Sequence, residues 1–347
     1  MKKNEGEEHG YLWDGSGEPD PEVVRLETLL RPLRHRGVPP SLPVQKRARP
    51  RTTWGIAVLS AAAAVLLVAA IGWYAAGWRS TGWAVRTIAG APAVDGVKSR
   101  AGGGSSPARL RVGNWLETDA VSRARIEVGE IGRVDVEPNT RLQAVEMRGR
   151  ENRMSLTRGI IRARIWAPPK LFFVNTPSAT AVDLGCEYTL QVDEGGGGLI
   201  RVSLGWVSFE GNGRESFIPE GAVGRTRPGA GPGTPYYDDA PSGYGEALEI
   251  LDFGAPDDPR RSSAFDLVLS SARRRDAMTL WHLLTRGTPG ERERVYDRLA
   301  QLVPPPAGAT RDAVLKGHRE ALDQWWDALG LDSATWWRLW KTKSLNR

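Results

Sequence analysis

The sequence predicts a single-pass membrane protein whose extramembrane part is an all-β domain, sandwich or solenoid-like, followed by an α-helical domain. Three observations carry that expectation. The stretch from Trp54 to Trp78, WGIAVLSAAAAVLLVAAIGWYAAGW, is free of charge and exceeds the ~20 residues needed to cross a bilayer. From Leu110 to Thr226 short alternating apolar runs are punctuated by turn residues, the pattern of an all-β fold. Beyond Arg261 the spacing of apolar residues changes to that of helices.

The elements follow in chain order. Residues 1–52 form a tail with one amphipathic helix. Asp20 suits an N-cap, Pro21 the first helical position and Glu22 the first turn. Val23, Leu26, Leu29, Leu30 and Leu33 then recur at helical spacing as one apolar stripe, and Pro32 ends or kinks the helix. A single helix of this length cannot build its own core, so the stripe needs a partner: another protein, a second copy or a membrane surface. Val23, Leu26, Leu29 and Leu30 are the candidate partner face.

Residues 53–78 are the expected transmembrane helix, with Trp54 at one end and Trp73, Tyr74 and Trp78 toward the other, as interfacial aromatics lie. The alternatives are a buried core helix, for which the run is too long, and a secretory signal, for which it starts too far from Met1. Arg31, Arg34, Arg36, Lys46, Arg47, Arg49 and Arg51 precede the span, whereas only Arg79 and Arg86 follow closely. The positive-inside rule then puts the N-terminus in the cytoplasm and the C-terminus beyond the inner membrane, in the periplasm. The formal charge of +6 is therefore a topology signal before it is a nucleic-acid signal, and no nucleic-acid partner is expected.

Residues 79–109 read as a linker, ending in AGGGSSPAR. The β domain spans 110–226. Within it Glu194–Gly198, EGGGG, is a hairpin tip rather than a phosphate loop, since it lacks the Lys-Ser/Thr and opens no helix. Residues 227–260 read as a second, Gly/Pro-rich linker and 261–347 as a helical domain, with Thr288–Pro289 and Thr310 as helix starts. Trp325, Trp326, Trp336, Trp337 and Trp340 give two readings: core packing between the last helices, or a contact surface for a partner or membrane.

No nucleophile–base pair, paired carboxylates or metal-ligand cluster stands out. The single cysteine, Cys186, excludes an intramolecular disulfide. His9 and His35 in the tail have no cysteine beside them, so a zinc-binding tail is excluded. His282 and His318 lie far apart and read as packing or surface residues. The chain is expected to be a non-enzyme with no cofactor.

The ordered series VGNWLETD, SRARIEVGEIGRVDVEPNTRL, MSLTRGIIRARI, FFVNTPSATAVDLGCEYTLQV, VSLGWVSFEG and IPEGAVGRT resembles a FecR domain over about a third of the chain. The resemblance implies that Gly159, Gly185, Gly205 and Gly221 are the family's turn glycines, there for backbone geometry. It implies that Cys186, where the family more often has threonine, is structural. It also implies an inner-membrane signal-transducing regulator of the anti-sigma type, with an extracytoplasmic-function sigma factor on the cytoplasmic side and a periplasmic or outer-membrane protein on the other. The sequence departs from that pattern at both ends, with a shorter tail and a helical C-terminus. An envelope-tethered binding or scaffolding protein without transcriptional output is the alternative.

Overall fold

In the computed structural model the chain divides into two compact units, Met1–Ile71 and Gly72–Arg347. The structure describes residues 20–33, 82–99, 107–148 and 151–331. The expected membrane span and Trp336, Trp337 and Trp340 lie outside the described residues. Among the described residues no helix is long and apolar enough to cross a membrane.

In the first unit, helix α1 covers Pro21–Leu30 and continues as a short 3₁₀ turn, Arg31–Leu33. The Glu22 N–H donates to the Asp20 carboxylate at 2.8 Å, which satisfies one of the helix's orphan donors. Pro32 sits in the 3₁₀ turn, where the α-helical pattern has already stopped.

The second unit is built on two sheets that share one strand. Sheet I runs β4 (Ala108–Leu110), β1 (Trp83–Ala89), β6 (Arg123–Val128), β7 (Gly132–Val136), the second half of β9 (Glu151–Ile165), β12 (Glu187–Val192), β13 (Gly198–Leu204) and β16 (Ala222–Arg227). Two short strands, β17 (Gly231–Pro232) and β18 (Tyr236–Tyr237), close it. Sheet II runs β3 (Val97–Lys98), β2 (Ala93–Val94), β5 (Trp115–Glu117), β8 (Arg141–Arg148), the first half of β9, β10 (Phe172–Asn175), β11 (Thr180–Asp183), β14 (Trp206–Gly211) and β15 (Arg214–Pro219). All pairings are antiparallel except β9 with β10.

Strand β9 turns the corner between the sheets at Gly159. Met154 and Leu156 are buried before it, and Ile161, Ala163 and Ile165 after it, so the inward face changes from even to odd residues. Gly159 has φ +98°, and a Cβ there would lie within 2.4 Å of the Thr140 backbone. Only glycine suits such a corner. The Thr140 hydroxyl meanwhile accepts from the Ile160 N–H at 3.0 Å, which ties the bend to the loop before β8. After the corner the chain comes back so far that β10 begins beside Asn152.

Among the described residues six helices follow: α2 (Tyr244–Phe253), α3 (Arg261–Ser271), α4 (Ala277–Leu284), α5 (Pro289–Leu302), α6 (Arg311–Leu315) and α7 (Arg319–Ala328). Thr288 and Glu291 form a capping box at the start of α5, and Thr310 caps α6.

Both stretches read as linkers hold strands or helices among their described residues. Residues 79–109 contain β1, whose Trp83 and Val85 are buried and which pairs with β6; the sheet therefore begins well before Leu110. Residues 227–260 contain β17, β18 and α2. Their glycines and prolines serve short strands and a left-handed helix start at Gly243 (φ +79°), not a loose connection. The helices are not a separate domain from 261 onward. One continuous hydrophobic cluster runs from Trp83 through both sheets to Trp326.

Candidate partner-binding surfaces

Two regions concentrate side chains beyond what the fold alone requires: the stripe on α1, and the seam where the helices meet sheet II. On α1, Val23, Leu26, Leu30 and Leu33 fall on one side of the helical wheel with Leu29 beside them. None is buried: Leu26 is 57% exposed, Leu29 66% and Leu30 57%. Exposed leucines at this spacing are the mark of a helix that docks by its apolar face.

The seam is closed by two residues of α4–α5, His282 and Arg286. His282 is completely buried. Its Nε2 accepts from the Phe217 N–H on β15 at 3.1 Å, and its Nδ1 lies 2.9 Å from the Met278 carbonyl. The first contact needs a lone pair on Nε2, so the proton sits on Nδ1 and the ring is neutral. Burial, with the Arg286 guanidinium as the lesser cause, pushes the imidazole down to about 3.

Arg286 sends one amino group to Ser216 Oγ at 2.7 Å and to the Glu215 carbonyl at 3.0 Å, and the other to Thr234 Oγ1 at 3.0 Å. Its counter-ion is Asp252 on α2, at 3.5 Å and equally buried; Asp252 in turn accepts from the Thr234 N–H at 2.6 Å. A buried charge is tolerated only with this degree of satisfaction. His282 and Arg286 thus cap the outer edge of β15, an edge strand that would otherwise present unpaired backbone groups.

Trp326 fills the apolar half of the seam. Its ring stands 4.6 Å from Trp281, 5.6 Å from Phe217 and His282, and 6.3 Å from Trp206. Trp325 lies on the other side of α7 against Tyr296 at 5.0 Å, its indole N–H donating to the Val303 carbonyl. Trp325 and Trp326 are 0% and 2% exposed. Trp326 holds α7 to the strands and Trp325 holds it to α5, and neither offers a surface to a partner. Of the five tryptophans read as one cluster, these two are core and the other three lie outside the described residues.

Gly159, Gly185, Gly205 and Gly221 all have positive φ. At Gly205 a Cβ would meet the Gly185 carbonyl oxygen at 2.2 Å. These are positions of backbone geometry. Between Gly185 and Gly205 sits Cys186, whose thiol donates to the Asp183 carboxylate at 2.6 Å. Burial pushes the thiol up, with Asp183 adding to it, and pushes Asp183 itself up to about 7. A reactive thiol needs the opposite setting, a lowered pKa and access. Among the described residues no group of His, Cys, Asp and Glu could hold a metal ion. The seam partners were out of reach of sequence reasoning, since His282 and Phe217 are 65 positions apart and no local pattern couples them.

Residues 115–208 match the model of the FecR protein family, and the chain carries a FecR domain there: β5 through to the first residues of β14. No curated protein matches the sequence. Two crystal structures of a protein from Parabacteroides distasonis ATCC 8503, described as a candidate anti-sigma factor, are similar to this chain. Each is 13% identical with a TM-score of 0.32, covering 38% of this chain and 63% or 62% of the other. The chain therefore spans less than two thirds of the length of those structures.

Proposed function

We propose that the chain is an inner-membrane regulator that binds an extracytoplasmic-function sigma factor through α1 and senses a periplasmic signal through its FecR-domain unit. The observation that carries the reading is α1. It is a capped helix with a continuous stripe of leucines more than half exposed, and such a stripe is stable in use only when something covers it. The FecR domain supports a role in sigma-factor signalling rather than catalysis. The uncharged stretch Trp54–Trp78 and the arginines before it support a single membrane crossing with α1 on the cytoplasmic side.

In this reading the protein works by binding alone. A periplasmic ligand or protein with different affinities for two states of the FecR-domain unit shifts their populations, and that bias alters how well α1 holds its partner. The test is co-purification of the full-length chain with sigma factors from the native cell, identified by mass spectrometry, with and without Leu26→Asp/Leu30→Asp. The expected result is a complex that the double substitution abolishes. A complex that survives it, or transcription unaffected by deletion of residues 1–50, overturns the reading in favour of an envelope scaffold.

A further inference from the structure

The outer face of sheet I, away from the hydrophobic cluster, is populated by arginine. Cross-strand registers place Arg86, Arg125, Asp135, Arg162, Thr189 and Arg201 side by side in one row across β1, β6, β7, β9, β12 and β13. That row holds four guanidinium groups against one carboxylate. In the next row Arg133 stands directly opposite Arg164, with Glu127 and Glu187 on the strands to either side, and in the first row Arg86 stands opposite Arg125. Like charges directly opposite each other cost stability in a sheet, and of these four arginines Arg133 has no carboxylate within ion-pair distance among the described residues. Part of the charge is answered internally: Arg125 grips Asp135 with contacts of 2.5 and 3.1 Å, Arg164 grips Glu187 at 2.6 and 2.7 Å, Arg162 reaches Glu137 at 3.3 Å and Arg86 reaches Glu127 at 3.8 Å. Arg133 and Arg201 make no ion pair among the described residues.

The spacing says what kind of anion fits. Neighbouring strands lie about 4.8 Å apart, so the row is about 24 Å long, and Arg125, Arg162 and Arg201, on alternate strands, are about 9.6 Å apart. An extended polypeptide in the polyproline II form has three residues per turn and advances about 3.1 Å per residue, so carboxylates on every third residue recur on one face at about 9.3 Å. Arg125 with Asp135 and Arg164 with Glu187 already show the forked geometry that suits carboxylates. A flat anionic bilayer fits less well. Adjacent strands rotate by roughly 20° each, so a plane touches only part of a row that a flexible chain can follow.

We propose that the arginine row of sheet I is a docking track for an extended acidic polypeptide segment of a partner protein, with carboxylates at about every third residue. The test uses the full-length chain in mild detergent and two fluorescein-labelled ten-residue peptides of identical composition, read by anisotropy at 50 and 300 mM NaCl. One has glutamate at every third position; the other has its glutamates grouped. The spaced peptide is expected to bind at least tenfold more tightly than the grouped one, and to lose at least tenfold at the higher salt. Arg162→Gln/Arg201→Gln should weaken it tenfold or more. Arg294→Gln/Arg311→Gln, on the helices, should change it less than twofold. Both residues of the test pair are exposed on a sheet surface, and near-UV circular dichroism checks that the variant is folded. Absence of binding at 50 mM NaCl, equal binding of the two peptides, indifference to the test pair, or tighter binding to polyphosphate or phosphatidylglycerol vesicles would overturn the proposal.

Discussion

Helices α1 and α7 are the same length, ten residues, and each carries an apolar stripe on an otherwise polar cylinder. Their fates differ. The stripe of α7 ends in Trp325 and Trp326, both buried against strands and helices of the same chain. The stripe of α1, with Leu26, Leu29 and Leu30, is open. Burying a leucine is worth roughly 1.5–3 kcal/mol, so α7 spends its stripe on stability while α1 retains its stripe for whatever covers it. An amphipathic pattern alone does not distinguish the two; the presence of a complementary surface within the chain does.

The sharpest way to test that contrast is to remove the larger side chain from each stripe. Trp326→Ala should destabilise the Gly72–Arg347 unit by about 3–5 kcal/mol, because it empties a site shared by Trp281, Phe217, His282 and Trp206. Denaturant unfolding followed by tryptophan fluorescence measures it; a loss below about 1 kcal/mol would mean that the helices are held by polar contacts alone.

The seam's polar half gives the next largest effect, and it is a matter of sign. His282 titrates at 6.5 when unfolded and about 3 when folded. Its contribution is complete above pH 6.5 and is lost as pH falls from 6.5 toward 3. Asp183 is the reverse: 3.8 unfolded and about 7 folded. Its contribution is complete below 3.8 and is lost as pH rises from 3.8 toward 7. Each slope is about 1.4 kcal/mol per pH unit, with opposite sign. Between about pH 4.5 and 6.5, then, the two oppose each other, and we expect the wild-type stability to be nearly flat. Asp183→Asn should expose a loss of stability on acidification, and His282→Gln a loss as pH rises. Urea midpoints at half-unit steps of pH read out both, and parallel curves for all three proteins would refute the pairing.

The smallest effect is expected on α1. Leu26→Asp/Leu30→Asp removes no buried contact, so the thermal midpoint should not move beyond the change typical of a surface site, about 0.5 kcal/mol per residue. A clear loss of stability would show that the stripe is already covered within the chain.

What was legible in the sequence follows the range of the interactions involved. The start of α1 was readable because Asp20, Pro21 and Glu22 are adjacent and act locally. The strands of the FecR domain were readable because alternation repeats within each. Strand β9 was readable as one strand, MSLTRGIIRARI, but the corner it turns between the sheets was not, because the change of phase at Gly159 shows only once the buried face is known. The stretch holding β17, β18 and α2 was mistaken for a linker because Gly231, Pro232 and Gly243 signal turns wherever they occur, whatever pairs with them in space. The tryptophans pointed to a cluster, but sequence could not say that Trp326 faces inward, because its partners Trp206 and Phe217 lie more than a hundred positions away. The arginine row is invisible along the chain, where its members are scattered from Arg86 to Arg201, and it exists only once the registers are fixed.

The corner strand has a kinetic consequence. Strand β9 pairs with β8 nearby in sequence and with β12 farther on, and through those pairings it takes part in both sheets at once. Full pairing of both sheets requires the bend at Gly159, and we expect the rate-limiting ensemble to contain it. Non-local pairings of this kind slow the search. Substitutions at the corner should therefore retard folding nearly as much as they weaken the product, whereas substitutions among the late-docking helices should chiefly hasten unfolding.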